Sequence, residues 1–432
     1  VKIAFVGAGS YVFGPSILSQ IYLEQKLQDV DLALIDPDLQ TIDLLANVGR
    51  RMARENGLKT TITSHAERQA GLSGADFVIC SASPQMKKRT AIDWEIIDKY
   101  IPGHQKSEFG GIAGLSYSLR QIALIESISD DMRQLCPHAW LLDAANPLPR
   151  VTQAAQENGI KTAGFCVAAI SVYAMLWNIF FGEWLDFPFV AGRKKWELYT
   201  AGLNHFSWLL EFRDRASGID LMPLLREQSL RNDAPKMNPV ALQFLHDLGF
   251  LLVPGDEHTK DFLKPLKSAV KESVEPWHGN PNQRKERLEL LKSVGDGQAS
   301  WDGILKGEAW EKPIRFVDAM SGGPAADFHS MNLINDLNQV SNLPTYVFVE
   351  TPCHVSGGKI VPKQVTLPEP VVNISRQTAA VTNAIVRAAR EKRRSLVHEA
   401  VQMDPTVLDK RAGIEAIDIC LLAHSDLLPV YS

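Results

Sequence analysis

Short apolar runs alternate with amphipathic stretches through the first third of the chain. Residues 2–6 (KIAFV), 30–35 (VDLALI), 77–80 (FVIC) and 140–144 (WLLDA) are mostly apolar runs of strand length, and they predict strands buried on both faces. A weaker strand signal covers 60–63. Between these runs the spacing changes to a helical period. Residues 15–26 read as a helix with Pro15 in its first turn, 39–56 as a helix with Leu44, Leu45, Val48 and Met52 on its buried side, and 118–134 as another. This succession predicts an α/β fold with a Rossmann-like, doubly wound parallel sheet.

After about residue 165 the rhythm breaks. Helical patterns over 170–182, 239–248 and 371–403 are separated by loops rich in Pro, Gly and Trp, and strand signals remain at 196–201 and 346–350. We therefore expect a nucleotide-binding domain over 1–165 and an α+β catalytic, substrate and oligomerisation domain over 166–432. One apolar stretch, 163–185, is long enough to imitate a membrane span. It starts as a strand over 162–167 and continues as a helix with Ser171 and Asn178 inside it, so a buried strand-to-helix unit is expected. The charged run 284–293 reads as a solvated helix face.

With 432 residues, 45% hydrophobic and 22% charged, the chain can build two substantial cores. A net charge of −5 gives no general reason to bind nucleic acid or an anionic membrane, which leaves small molecules as partners. Cys80, Cys136, Cys166, Cys353 and Cys420 contain no C-x-x-C pair and are odd in number, and no export signal is visible at the start. A reducing, cytoplasmic setting is expected.

Candidate chemistry begins in the turn FVGAGSYVFG, residues 5–14. Gly7 allows a tight turn, Gly9 lets the backbone approach a pyrophosphate, and Ser10 and the helix start offer N–H groups to the anion. The third glycine of the usual fingerprint is replaced by Val12, and Gly14 lies too far along to stand in for it. Asp36, at the end of the second strand, suits the adenosine ribose and favours NAD over NADP. Ser81 opens the SASP turn, where cofactor and substrate should meet.

Further stretches carry a resemblance: GADFVICSASP (74–84), FGGIAGLSYSLRQI (109–122), DAANPLPRVTQAA (143–155), GFCVAAISVY (164–173), AGLNHFSWL (201–209) and YVFVETPCHV (346–355). In this order they resemble the NAD- and metal-dependent glycosidases of glycoside hydrolase family 4, whose fold belongs with the lactate and malate dehydrogenases. The resemblance implies transient oxidation of sugar C3 by NAD, elimination across C1 and C2, and return of water, an exception to two-carboxylate glycoside hydrolysis. It implies that Asn146 contacts sugar hydroxyls, that Cys166 and His205 bind Mn²⁺, and that the protein is a homodimer or homotetramer.

The chain also departs from the family pattern. Val167 follows the ligand cysteine where many relatives have His or Asn. Lys106 aligns with an acid, with Glu108 two residues on, which leaves the leaving-group acid unassigned. The stretch 239–250 has no tyrosine base; His246 and Asp247 are the first substitutes, Asp256 and His258 the others. Cations are gained at Lys106, Arg150 and Lys87–Lys88–Arg89, so Lys106 and Arg150 are expected to bind an anionic substrate. Resemblance to the divergent NAD-dependent sulfoquinovosidases related to this family implies a sulfoquinovoside first and a glucuronide second. The alternatives are a 2-hydroxyacid dehydrogenase and an inactive NAD-binding sensor or scaffold.

Overall fold

A computed structural model describes residues 1–10, 13–231, 238–264, 281–301, 304 and 312–431. Six parallel strands come first: β1 (Lys2–Val6), β2 (Val30–Ile35), β3 (Thr60–His65), β4 (Phe77–Cys80), β5 (Trp140–Asp143) and β6 (Lys161–Gly164). Their spatial order, 3-2-1-4-5-6, is the doubly wound arrangement expected from the sequence. The sheet does not end there. It continues antiparallel through β10 (Ala326–Ile334), β11 (Phe348–Ser356), β7 (Trp196–Leu203), β8 (Phe206–Asp214) and β9 (Leu251–Val253), with β12 (Lys359–Pro362) on the side of β11. The joint between the halves is the register pair Gly164–Asn332 of β6 and β10.

Burial decides where the helices lie, and caps decide where they begin. In the helix Leu39–Glu55, Ile42, Leu45, Val48 and Met52 are buried against the sheet, while Asp38 accepts the Thr41 N–H at 3.2 Å. Each of those side chains contributes about 1.5–3 kcal/mol on burial, against ~1 kcal/mol for the cap. The helix expected over 118–134 in fact runs Gly111–Leu135. Its glycine-rich first turn conceals the start, because Gly114 sits where a Cβ would come 2.3 Å from the Phe109 carbonyl carbon.

Several helices are additional to the sequence reading, among them Met86–Tyr100, Leu148–Glu157 and Lys410–Ala423. The 371–403 pattern is two helices, Glu369–Glu391 and Arg394–Met403, separated at Lys392, whose φ is +54°. The first helix is interrupted after Ser19 by a π-turn over Gln20–Glu24. The membrane-like stretch resolves into the end of β6, a 3₁₀ turn at Ala168–Ser171 and a ten-residue helix, Val172–Phe181. No described helix is long and apolar enough to cross a membrane. The charged run lies in the helix Pro281–Gly295, with Lys285, Glu286 and Arg287 exposed and Leu291 and Val294 buried.

Candidate active site

The nucleotide turn follows directly from β1. Gly7 takes a φ of +84°, and its N–H and that of Ala8 both donate to the Ile35 carbonyl, at 2.9 and 3.3 Å. A side chain at Gly7 would strike the Ala82 backbone at 2.8 Å, and one at Gly9 would strike the Asp36 carboxylate at 2.8 Å. The turn is therefore a cradle that glycine keeps open. Asp36 accepts the Gly9 N–H at 3.0 Å and the Asp38 N–H at 2.9 Å. Ser10 Oγ accepts from Phe13 N at 3.1 Å, and Ser81 Oγ donates to the Gly7 carbonyl at 3.3 Å. Val12 lies outside the described residues. Gly14 carries the close helix packing after all, since a Cβ there would lie 2.8 Å from Leu45 and 3.1 Å from the Ala8 carbonyl.

Beyond the end of β6, Cys166 Sγ comes 3.3 Å from His205 Nε2. His205 sits in the β7–β8 turn with φ +58°, strained for a residue with a Cβ. Buried Glu350 holds that turn: it accepts from Asn204 Nδ2 at 2.9 Å, Ser207 Oγ at 3.2 Å and Asn332 Nδ2 at 3.1 Å. Burial, with the nearby His258 ring, pushes His205 well below the usual histidine range and keeps the imidazole neutral, the form that binds a cation. Its buried Nδ1 has no hydrogen-bond partner among the described residues. Thiol and imidazole thus converge as two donors; no group of three His, Cys, Asp or Glu suited to a metal occurs among the described residues. The remaining positions would fall to substrate oxygens and water.

Asn146 follows the end of β5, half-buried, and donates from Nδ2 to Glu108 Oε2 at 3.0 Å. The next residue, Phe109, packs its ring on His205 with centroids 4.6 Å apart. Burial raises the Glu108 carboxyl to about 8; the Asn146 bond works against that rise and Asp261 adds to it. A nucleotide cradle, a Cys–His pair and a half-buried asparagine therefore line the carboxyl ends of one doubly wound sheet.

Comparison with known proteins gives this arrangement its family. Residues 2–180 match the family 4 glycosyl hydrolases, and residues 200–407 match the C-terminal domain of the same family. The chain belongs to glycosyl hydrolase family 4. It is 26% identical to an α-galactosidase of Bacillus subtilis (strain 168), over 100% of this chain and 99% of that one. A 6-phospho-α-glucosidase from gut microorganisms, solved with NAD and Mn²⁺, superposes with a TM-score of 0.74 at 18% identity, covering 99% of each chain. The fold likeness extends to malate dehydrogenase of Plasmodium falciparum, with a TM-score of 0.50 at 13% identity over 92% of this chain and 99% of that one.

Most of the other side chains singled out in this family 4 sequence find their partners away from the Cys–His pair. Lys106 Nζ pairs with Asp98 at 2.7 Å and lies over the Trp94 ring. Arg150 is buried, with Nη1 donating to the Gly114 carbonyl at 3.2 Å and to Ser118 Oγ at 2.6 Å; burial pushes it down to about 10. His246 Nε2 meets Ser229 Oγ at 2.9 Å on an exposed helix face that also carries Asp247. Asp256 accepts the Val240 and Ala241 N–H groups, both at 2.8 Å. Of the substitutes for the base, only His258 touches the pair, its ring centroid 4.7 Å from that of His205. Arg89 is buried and forked onto Asp426, so the Lys87–Arg89 run offers no continuous cation patch.

A different set of cations gathers beside Cys166. A cavity of about 510 Å³ has Cys166 in its wall and is lined by Arg193, Lys194, Arg215, Lys312 and Arg315, with Asp327 the acid among its lining residues. Lys312 is paired with Glu24 at 2.7 Å, and Arg315 lies over the Phe328 ring at 5.7 Å. Sequence reasoning missed these residues. The basic run at 193–195 was visible, but only the antiparallel half of the sheet brings it to Cys166.

Proposed function

We propose that the chain is a retaining, NAD-dependent glycosidase acting on an anionic α-glycoside, with a sulfoquinovoside first and a glucuronide second. The observation that carries this reading is the cationic cavity beside Cys166. Its volume suits a small ligand, and its guanidinium groups suit a sulfonate, phosphate or carboxylate. A 6-phosphoglucoside, the kind of substrate in the name of one structural relative, is likewise anionic, whereas the α-galactosidase relative acts on an uncharged sugar.

Gly7, Gly9, Ser10 and Asp36 would hold NAD, and Cys166 with His205 would hold a divalent metal such as Mn²⁺. When bound, the two groups supply reversible oxidation at sugar C3 and polarisation of O2 and O3. The chain's own residues do the rest. Asn146 orients a sugar hydroxyl, Glu350 fixes the His205 turn through Asn204 and Ser207, and the cationic wall orients the substrate anion. Arg315→Gln should raise KM for the anionic glycoside roughly tenfold to a hundredfold, the worth of one charge-assisted hydrogen bond.

The test is hydrolysis in deuterated water with NAD⁺ and Mn²⁺, comparing a sulfoquinovoside, a glucuronide and a galactoside that share one aglycone. Deuterium is expected at C2 of the released sugar, with faster turnover of the anionic substrates. Cleavage without C2 deuterium removes the oxidative mechanism, and preference for the galactoside removes the anionic substrate. Net NADH from a hydroxyacid without glycoside cleavage would establish the dehydrogenase instead, and NAD binding without any turnover the sensor.

A further inference from the structure

We infer that Glu108 is the acid that protonates the departing aglycone oxygen, an assignment that rests on the glycosidase reading above. The geometry comes from two consecutive residues that touch both halves of the site. Glu108 binds Asn146 at 3.0 Å on the sugar side, and Phe109 packs against His205 on the side of the Cys–His pair. A carboxyl group placed there lies beside both the asparagine and the Cys–His pair without entering the pair itself.

The loop that carries Glu108 is fastened along its length. Ser107 Oγ donates to the Gly110 carbonyl at 2.6 Å, Phe109 N donates to Asp261 at 3.3 Å, and Gly111 N donates to Asp404 at 2.9 Å. Gly110 presses so close to the Asp261 carbonyl that a Cβ would lie 1.7 Å from it. A proton donor must hold its position while a bond breaks, and this loop has little freedom to lose. Among the described residues no cation faces Glu108: it meets Asn146 from the end of β5, whose N–H favours the ionised form, Asp261 from the turn Lys260–Phe262, which disfavours it, and the Tyr117 phenol from the helix Gly111–Leu135. Burial raises Asp261 as well, to about 7.

The proton balance closes. As the C1–O bond breaks, its electron pair goes to the aglycone oxygen, which takes the Glu108 proton, and Glu108 becomes a carboxylate. When water adds to C1, Glu108 takes one of its protons and is restored. The oxidation and re-reduction at C3 remain with NAD and need no further reagent.

Glu108→Gln in the full chain, assayed with NAD⁺ and Mn²⁺, tests the assignment. Alkyl glycosides, whose leaving groups need a proton, should lose roughly a hundredfold or more in kcat/KM, while kcat/KM for the 4-nitrophenyl glycoside, which ends at aglycone release and precedes water addition, should be little changed. In deuterated water the variant should exchange C2 of the uncleaved alkyl glycoside faster than it cleaves it. The alkaline limb of the wild-type kcat/KM profile should disappear. Glu108→Asp, which keeps an acid on a shorter arm, should recover part of the alkyl activity, and it decides the matter if the glutamine variant fails to bind NAD. Equal losses on alkyl and aryl glycosides, or no loss on either, would overturn the assignment. Absence of C2 deuterium in the wild type is a separate result, and it removes the glycosidase reading itself.

Discussion

Asp93, buried on the helix Met86–Tyr100, and Glu108, half-buried in the loop that follows it, are two carboxyl groups shifted in opposite directions. Asp93 meets Arg120 at 2.7 Å, His424 Nε2 at 2.8 Å and Ser116 Oγ at 2.8 Å. Burial alone would raise it, but the bonds from His424 and Arg120 outweigh that and hold it below the ordinary carboxylate range. For Glu108 burial prevails: the one bond from neutral Asn146 opposes the rise without cancelling it, and Asp261 nearby adds to it. The first arrangement joins three helices, Met86–Tyr100, Gly111–Leu135 and Lys410–Ala423 with the His424 that ends it, and uses up its charges. The second leaves a carboxyl raised beside Asn146. Buried charge that is fully paired supports a fold, and buried charge left half-paired is where chemistry can occur.

The sharpest way to break this contrast is Asp93→Ala. It strands Arg120 and should cost about 3–5 kcal/mol in urea unfolding. Glu108→Gln keeps a polar group at Asn146 and should stay within about 1 kcal/mol of wild type. Equal destabilisation by the two would erase the distinction.

The pH dependence should separate them next. Glu108 has a folded value above its unfolded one, so its contribution is whole below about 4.5 and is lost as pH rises through about 8. Asp93 has a folded value below its unfolded one, so its contribution is present above about 3.8 and is lost as pH falls further. Thermal unfolding followed against pH should show the alkaline decline shrinking in Glu108→Gln and the acid decline shrinking in Asp93→Asn.

The smallest effect belongs to the edge of the paired cluster. Asp426→Asn removes the exposed partner of Arg89, which retains Gln85 through Nε and Nη2 at 3.2 and 2.9 Å. The Tm should fall by less than in Asp93→Ala.

Much of the nucleotide half was legible because its signals are local. A parallel strand buried on both faces writes a continuous apolar run, and Gly7, Gly9 and Asp36 lie at fixed places relative to such runs. The Cys166–His205 pair was also foreseeable, but only through the resemblance, since spacing along the chain does not bring the end of β6 to the β7–β8 turn. The cationic wall was not readable. Arg193, Arg215 and Arg315 come from separate segments that meet through antiparallel pairings in the second half of the sheet. Glu108 was visible as a residue, but the Asn146 bond that singles it out exists only in three dimensions.

The joint at Gly164–Asn332 has a consequence for how such a protein can be inherited. Cys166 lies two residues past the joint on one side, while Asn332 bonds the same Glu350 that steadies the His205 turn. A Cβ on Gly164 would come 3.0 Å from that of Asn332. A recombinant that drew its first half from one relative and its second from another would take Cys166 and His205 from different parents. Shuffling between lineages could then succeed only where both parents agree on this one contact, so the two halves should evolve as a linked pair.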